Sequence, residues 1–185
     1  MKASHIIMIV LLFAGCGEER RSDLTPIQQE VVKAVHEVDS MRSARAASIT
    51  SGELVDFDTF ARVCQPVGRR IIDIAQEKGW QFRQISERNR NPANGLDSSL
   101  VDVYRQFQEE SDLDSLWQAT DGGVRYFHRI TVEASCLHCH GPVDTRPRFV
   151  IERYPDDRAF DFEVGDLRGL YAVTVPASAG SEAGG

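Results

Sequence analysis

Leu116-Trp117-Gln118-Ala119-Thr120-Asp121-Gly122-Gly123-Val124-Arg125-Tyr126-Phe127-His128-Arg129-Ile130-Thr131-Val132 decides the fold class of this 185-residue chain. Leu116 to Ala119 and Val124 to Val132 read as two strands, and Asp121-Gly122-Gly123 as the turn between them. Along the second strand Val124, Tyr126, His128, Ile130 and Val132 alternate with Arg125, Phe127, Arg129 and Thr131, so one face is largely apolar. Further on, Phe149 to Ile151 is expected to add a strand and Leu170 to Val175 a last one.

Before the hairpin the apolar period is helical. Thr25-Pro26-Ile27-Gln28 combines a Thr cap, Pro at the first helical position and Gln three residues on, the pattern of a capping box. Ile27, Val31, Ala34, Val35 and Val38 carry that helix to about Met41. A second helix fits Phe57 to Ala75, with Phe57, Phe60, Cys64, Val67, Ile71 and Ile74 on one face. Pro66 inside it removes an amide donor and so frees the carbonyl of Arg62. Glu87 to Asp97 is polar, with turn signals at Asn91-Pro92 and Asn94-Gly95, and Asp97 is placed to cap a third helix whose Leu100, Val101, Tyr104 and Phe107 face inward. Helices first and hairpin strands later, without βαβ alternation, predict an α+β domain with an antiparallel sheet.

Directly after the hairpin stands Cys136-Leu137-His138-Cys139-His140, the Cys-x-x-Cys-His signature of covalent c-type haem attachment. Two thiols three residues apart on one helical turn can add to the two vinyl groups of one porphyrin, and the next histidine then lies beneath the ring to bind its iron. Three competing readings are weaker. A Cys136–Cys139 disulfide leaves His140 unexplained, a zinc site lacks a second ligand cluster at normal spacing, and a thioredoxin-like pair lacks its βαβ context. The spacing therefore predicts one haem c on Cys136, Cys139 and His140. Arg125, Arg129, Arg146 and Arg148 are the cations nearest the motif in sequence, candidates to pair with propionates, although solvated arginine is the default for each. Asn91 and Asn94 read as turn-fixing residues, and Asp166 and Arg168 as a surface turn or ion pair.

The chain ends set the compartment. Lys2, nine apolar residues from Ile6 to Ala14, and Gly15 precede Cys16, too short a run to span a bilayer, which needs roughly 20 residues. Leu12-Phe13-Ala14-Gly15-Cys16 resembles a bacterial lipobox, which implies a lipid on Cys16. The expected organisation is a lipoprotein signal over residues 1–15, a tether over 16–24, one domain over 25–176 and a frayed tail over 177–185. An exported, lipid-anchored domain on the periplasmic side of a bacterial membrane follows. With Lys2 removed, 20 basic residues face 28 acidic ones, which argues against a nucleic-acid partner, since phosphates demand a basic face. At 42% hydrophobic and 26% charged the chain is neither disordered nor a membrane bundle.

Cys16 assigned to lipid and Cys136 and Cys139 to haem leave Cys64 over. A small buried core residue is the reading its pattern favours; a sixth iron ligand is the functional alternative, in competition with Met41, His36 and, above all, His128. His138, inside the motif, cannot reach the opposite side of the ring.

Asn91-Pro92-Ala93-Asn94 followed by Asp97, Cys136-Leu137-His138-Cys139-His140-Gly141, and Gly165-Asp166-Leu167-Arg168-Gly169 occur in the order seen in a bacterial family of single-haem c-type domains similar to PAS domains in fold. From about Phe57 to Pro176 the chain resembles that family, whose members stand alone or form the outer sensing part of signalling proteins. The resemblance implies a PAS-like antiparallel sheet and His/Cys ligation, with His140 on one side of the iron and Cys64 on the other. Arg129 stands near a place where the family pattern has proline. Three function classes are weighed. A tethered haem protein sensing redox state or a small ligand through a signalling partner comes first. A simple electron-transfer cytochrome is the alternative, and a haem enzyme with an open iron site is disfavoured by a sixth ligand, so no catalytic residue is assigned.

Overall fold

The computed structural model describes residues 24–50 and 52–177. The leader, Cys16, the tether up to residue 23 and the tail from 178 lie outside those residues. Helix α1 (Pro26–Ala47) starts as its sequence dictates: the Thr25 hydroxyl accepts from the Gln28 amide at 3.3 Å, and the Gln28 side chain accepts from the Thr25 amide at 2.9 Å. It runs six residues past Met41. Helix α2 (Phe57–Lys78) is capped by Asp56 and ends at Gly79, whose φ of 66° suits a residue without a Cβ. The two helices lie side by side, tied by Arg70 to Glu37 and Lys78 to Glu30.

Four strands form one antiparallel sheet in the order β1-β4-β3-β2, with β1 at Gln81–Ile85, β2 at Ser115–Thr120, β3 at Gly123–Thr131 and β4 at Leu167–Pro176. The architecture is the expected α+β class. The hairpin β2–β3 pairs Trp117 with Tyr126 and closes at Gly123, where an added Cβ would lie 2.0 Å from the Val175 carbonyl. Central β4 is buried on both faces. Tyr171 and Val173 pack under α1 and α2 with Val35, Val38, Ile71 and Ile74, while Leu170 and Ala172 pack against Phe107 and Tyr104 of α3 (Val101–Glu109). Arg129 fills a structural role here: its guanidinium donates to the carbonyls of Phe107, Glu110 and Leu113, closing the C-terminal end of α3.

Two sequence expectations are corrected. Phe149–Ile151 is not a strand but part of helix α5 (Arg148–Arg153), entered through Pro147 and braced by an Arg148–Glu152 contact one turn apart. The sequence pattern does not announce strand β1; its sequence Gln-Phe-Arg-Gln-Ile buries Phe82 and Ile85 and, among the described residues, pairs only with β4.

Candidate functional site

Strand β3 delivers the chain into the cysteine motif. Past its end, Val132 donates its amide to the Asp166 carbonyl, and a 3-10 turn at Ala134–Cys136 leads into the single helical turn α4 (Leu137–His140). Gly141 ends that turn: its amide donates to Leu137, and a Cβ there would stand 2.7 Å from the Leu137 carbonyl. The segment is then stitched to residues 157–162. Asp161 and Phe162 donate to the carbonyls of Gly141 (2.7 Å) and His140 (3.1 Å).

His140 is fixed as a ligand needs to be. Its Nδ1–H donates to the Ala159 carbonyl at 2.7 Å, which leaves Nε2 as the free nitrogen. Arg90 lies 3.5 Å from Nδ1, but two donors face each other there, so no hydrogen bond joins them. Burial, with Arg168 and Arg90 nearby, holds the imidazole well below its usual range and therefore neutral. Arg90 itself is buried. It meets Asp157 at 3.2 Å and donates to the carbonyls of Cys139 (2.7 Å) and Ala159 (3.3 Å).

Opposite this loop stands α2. Its core stripe is Val63, Val67, Ile71 and Ile74; Cys64 falls beside the stripe rather than on it. The expectation of a core-buried Cys64 is therefore corrected: its surface is open, on a line with Phe60 and Gly68 one turn to either side. The surrounding protein still raises its thiol above the ordinary range by desolvation, against the pull of Arg90 and Arg168. Cys139 is pushed to about 11, again by burial first and by Cys64 next.

Cys64, Cys136, Cys139 and His140 line one cavity of about 330 Å³, within the roughly 300–1,000 Å³ usual for cofactor sites. Its walls come from the end of α1 (Arg42, Ala46), from α2, from Gln84 to Asn94 after β1, and from Ile130, Tyr154, Arg168 and Gly169. The residues fit a flat, doubly tethered ring. Two thiols and an imidazole with one free nitrogen stand on one wall and a third thiol on the other. Gly68, whose added Cβ would meet nothing within 4 Å, keeps the helix face beside Cys64 clear.

None of the other sixth-ligand candidates lines the cavity. His128 faces α1, its ring 5.2 Å from that of His36 and stacked near Tyr126. Met41 packs on the main core, and His138 lies in a separate groove with Leu137, Arg148 and Phe149. The four arginines nearest the motif in sequence are also elsewhere: Arg146 pairs with Asp157, and Arg148 is 92% exposed beside Glu152. Asn91 behaves as read, its side chain accepting from the Ala93 amide, and Asp166 turns the chain by accepting from Glu163.

Arg42, Arg90 and Arg168 are the cavity arginines that sequence reasoning missed. Only Arg168 had a visible signal, its place inside Gly-Asp-Leu-Arg-Gly, and it was read there as surface.

Pro66 does free the Arg62 carbonyl, and α1 answers it: Arg45 donates to that oxygen at 2.8 Å. Among the described residues no helix is long and apolar enough to cross a membrane.

Residues 21–176 match the Tll0287-like family. The crystal structure of the cyanobacterial heme-protein Tll0287 is similar to the chain, with 43% sequence identity and a TM-score of 0.76, over 83% of this chain and 98% of that one. No curated protein matches it.

Proposed function

The chain belongs to the Tll0287-like family, and from that membership we propose that it carries one covalent c-type haem and works as a redox or small-ligand sensor. Cys136 and Cys139 would form the thioethers, and His140 and Cys64 would hold the iron. The observation that carries this reading is the meeting of these four side chains on one cavity, together with the heme named for the 43% identical structure.

Such a haem supplies one-electron exchange between ferric and ferrous iron. His140, held by the Ala159 carbonyl, offers Nε2 and cannot swing away without breaking that bond. Cys64 would hold such an iron as a thiolate, whose charge would favour the ferric state and a low potential. With both positions filled by protein, no open site remains for catalysis, and the reading is a non-enzymatic one. Of the two, Cys64 would be the ligand freer to move, because Pro66 two residues beyond it leaves α2 one backbone hydrogen bond short. An exported protein anchored through a lipid on Cys16 would pass that movement to a signalling or redox partner.

Full-length protein matured in a haem-attaching bacterial host tests the reading, by absorption and electron-spin-resonance spectra beside a Cys64→Ser variant. The variant is expected to keep its covalent haem, lose the thiolate signature and rise in potential. Colourless wild-type protein would overturn the haem assignment, and unchanged spectra would overturn Cys64. Carbon monoxide or nitric oxide uptake on reduction marks the sensor; fast reversible reduction without uptake marks an electron carrier.

A further inference from the structure

Three arginines reach the cavity, and two are already engaged by carboxylates. Arg42 meets Asp39 and Glu133, each at 2.9 Å, and Arg90 meets Asp157 while closing the His140 loop. Arg168 differs. Its guanidinium donates to the Ser86 hydroxyl and the Arg88 carbonyl, both at 3.3 Å and both neutral. Among the described residues no carboxylate lies within the 4.0 Å of an ion pair.

The strand is built to aim this side chain. In the β3–β4 ladder Ile130 faces Gly169 and Thr131 faces Leu167, so Arg168 is the extra residue of a β-bulge, a device that redirects a side chain out of the regular alternation. Gly169 lets the bulge press against β1, since a Cβ there would stand 2.4 Å from the Ile85 carbonyl. The Ser86 hydroxyl donates to the Arg168 carbonyl at 2.8 Å and so pins the backbone at the same point. The Phe162 ring lies 5.3 Å from the guanidinium carbon.

A cation drawn partly out of water, with no ion-pair partner, is costly. The strain is legible here: burial and neighbouring Arg90 bring Arg168 down to about 10. What relieves it is an anionic group on whatever fills the cavity. Resting on the haem reading above, we propose that Arg168 is the counter-ion of a haem propionate and orients the carboxylate edge of the ring from the β3–β4 bulge.

The test uses holoprotein of the wild type, Arg168→Gln and Arg168→Lys, each first shown to carry one covalent haem. Resonance Raman spectra report the propionate bending mode, and a redox titration reports the midpoint potential. The Gln variant is expected to move the propionate mode and lower the potential, because a positive charge near the ferric centre is gone, while Lys restores the potential in part. A lowered potential with an unmoved propionate mode would mean a distant charge only, and would overturn the proposal, as would no change in either readout. Should the Gln variant fail to accumulate, the Lys variant decides alone: its shorter, unforked head must move the propionate mode, and an unmoved mode overturns the assignment. A wild type without haem would bring down the parent reading, a failure visible before any variant is made.

Discussion

On the motif wall of the cavity, His140 is held by the Ala159 carbonyl, Arg90 closes over the same loop, and a fully buried Asp157 is shared between Arg90 and Arg146. On the α2 wall, Cys64 rides a helix with Pro66 two residues on and Gly68 four residues on, its broken ladder completed by Arg45 from α1. One wall is over-determined and the other is under-determined. If His140 and Cys64 hold the proposed iron, the difference predicts which of them stays: His140 is surrounded by bonds that would all have to break, and Cys64 sits where its own helix is weakest.

The largest test of that contrast removes the centre of the stiff wall. Asp157→Ala leaves Arg90 and Arg146 without their shared carboxylate, and breaking a buried pair in this way should destabilise the fold by about 3–5 kcal/mol, read from the denaturant midpoint. A loss under 1 kcal/mol would show that the wall is not held as described. On the other side Pro66→Ala restores an amide donor to the Arg62 carbonyl and should stabilise the chain by up to about 3 kcal/mol. In holoprotein it should also slow the displacement of Cys64 by carbon monoxide, followed by stopped flow. Gly68→Ala sharpens the contrast further, because its sign depends on the cofactor. Haem-free protein should gain about 1 kcal/mol from the better helix former, as the methyl meets nothing, whereas holoprotein should show a disturbed absorption spectrum. Equal gains in both forms would mean that nothing occupies the space beside Cys64.

The smallest effect lies outside both walls. Burial and the neighbouring His36 hold His128 below its usual range, against Asp39 and Asp114. A histidine depressed in the folded state binds fewer protons there than in the unfolded chain, so its contribution is complete above about pH 6.5 and is lost as pH falls below it. His128→Asn should flatten the fall in stability between about pH 6.5 and 5, measured by denaturation at several pH values, while leaving the holoprotein spectrum unchanged. A changed spectrum would return His128 to the list of ligands.

Much of the frame was legible in the chain. The capping box at Thr25, the hairpin turn at Gly123 and the Cys-x-x-Cys-His spacing are local signals, each complete within a few residues. The losses are of a different kind. Phe149-Val150-Ile151 has strand-like residues, yet Pro147 before it and the Arg148–Glu152 pair suit a helical turn. β1 is five residues with three polar ones, and its burial depends on which neighbours cover Phe82 and Ile85. Cys64 was read one position off, because Phe60, Cys64 and Gly68 form an i, i+4 line adjoining the core stripe. Arg90 and Arg168 were invisible as cavity residues, since a bulge register and a contact with a carbonyl 49 residues away leave no mark in local pattern.

The stitching of residues 139–141 to 157–162 has a consequence for the timing of motion. The Asp161 and Phe162 amides, the His140 ring and the Arg90 guanidinium all bond along the same seam, so its two sides part as a unit. Their amide protons should therefore exchange with heavy water at a common rate, as one cooperative unit.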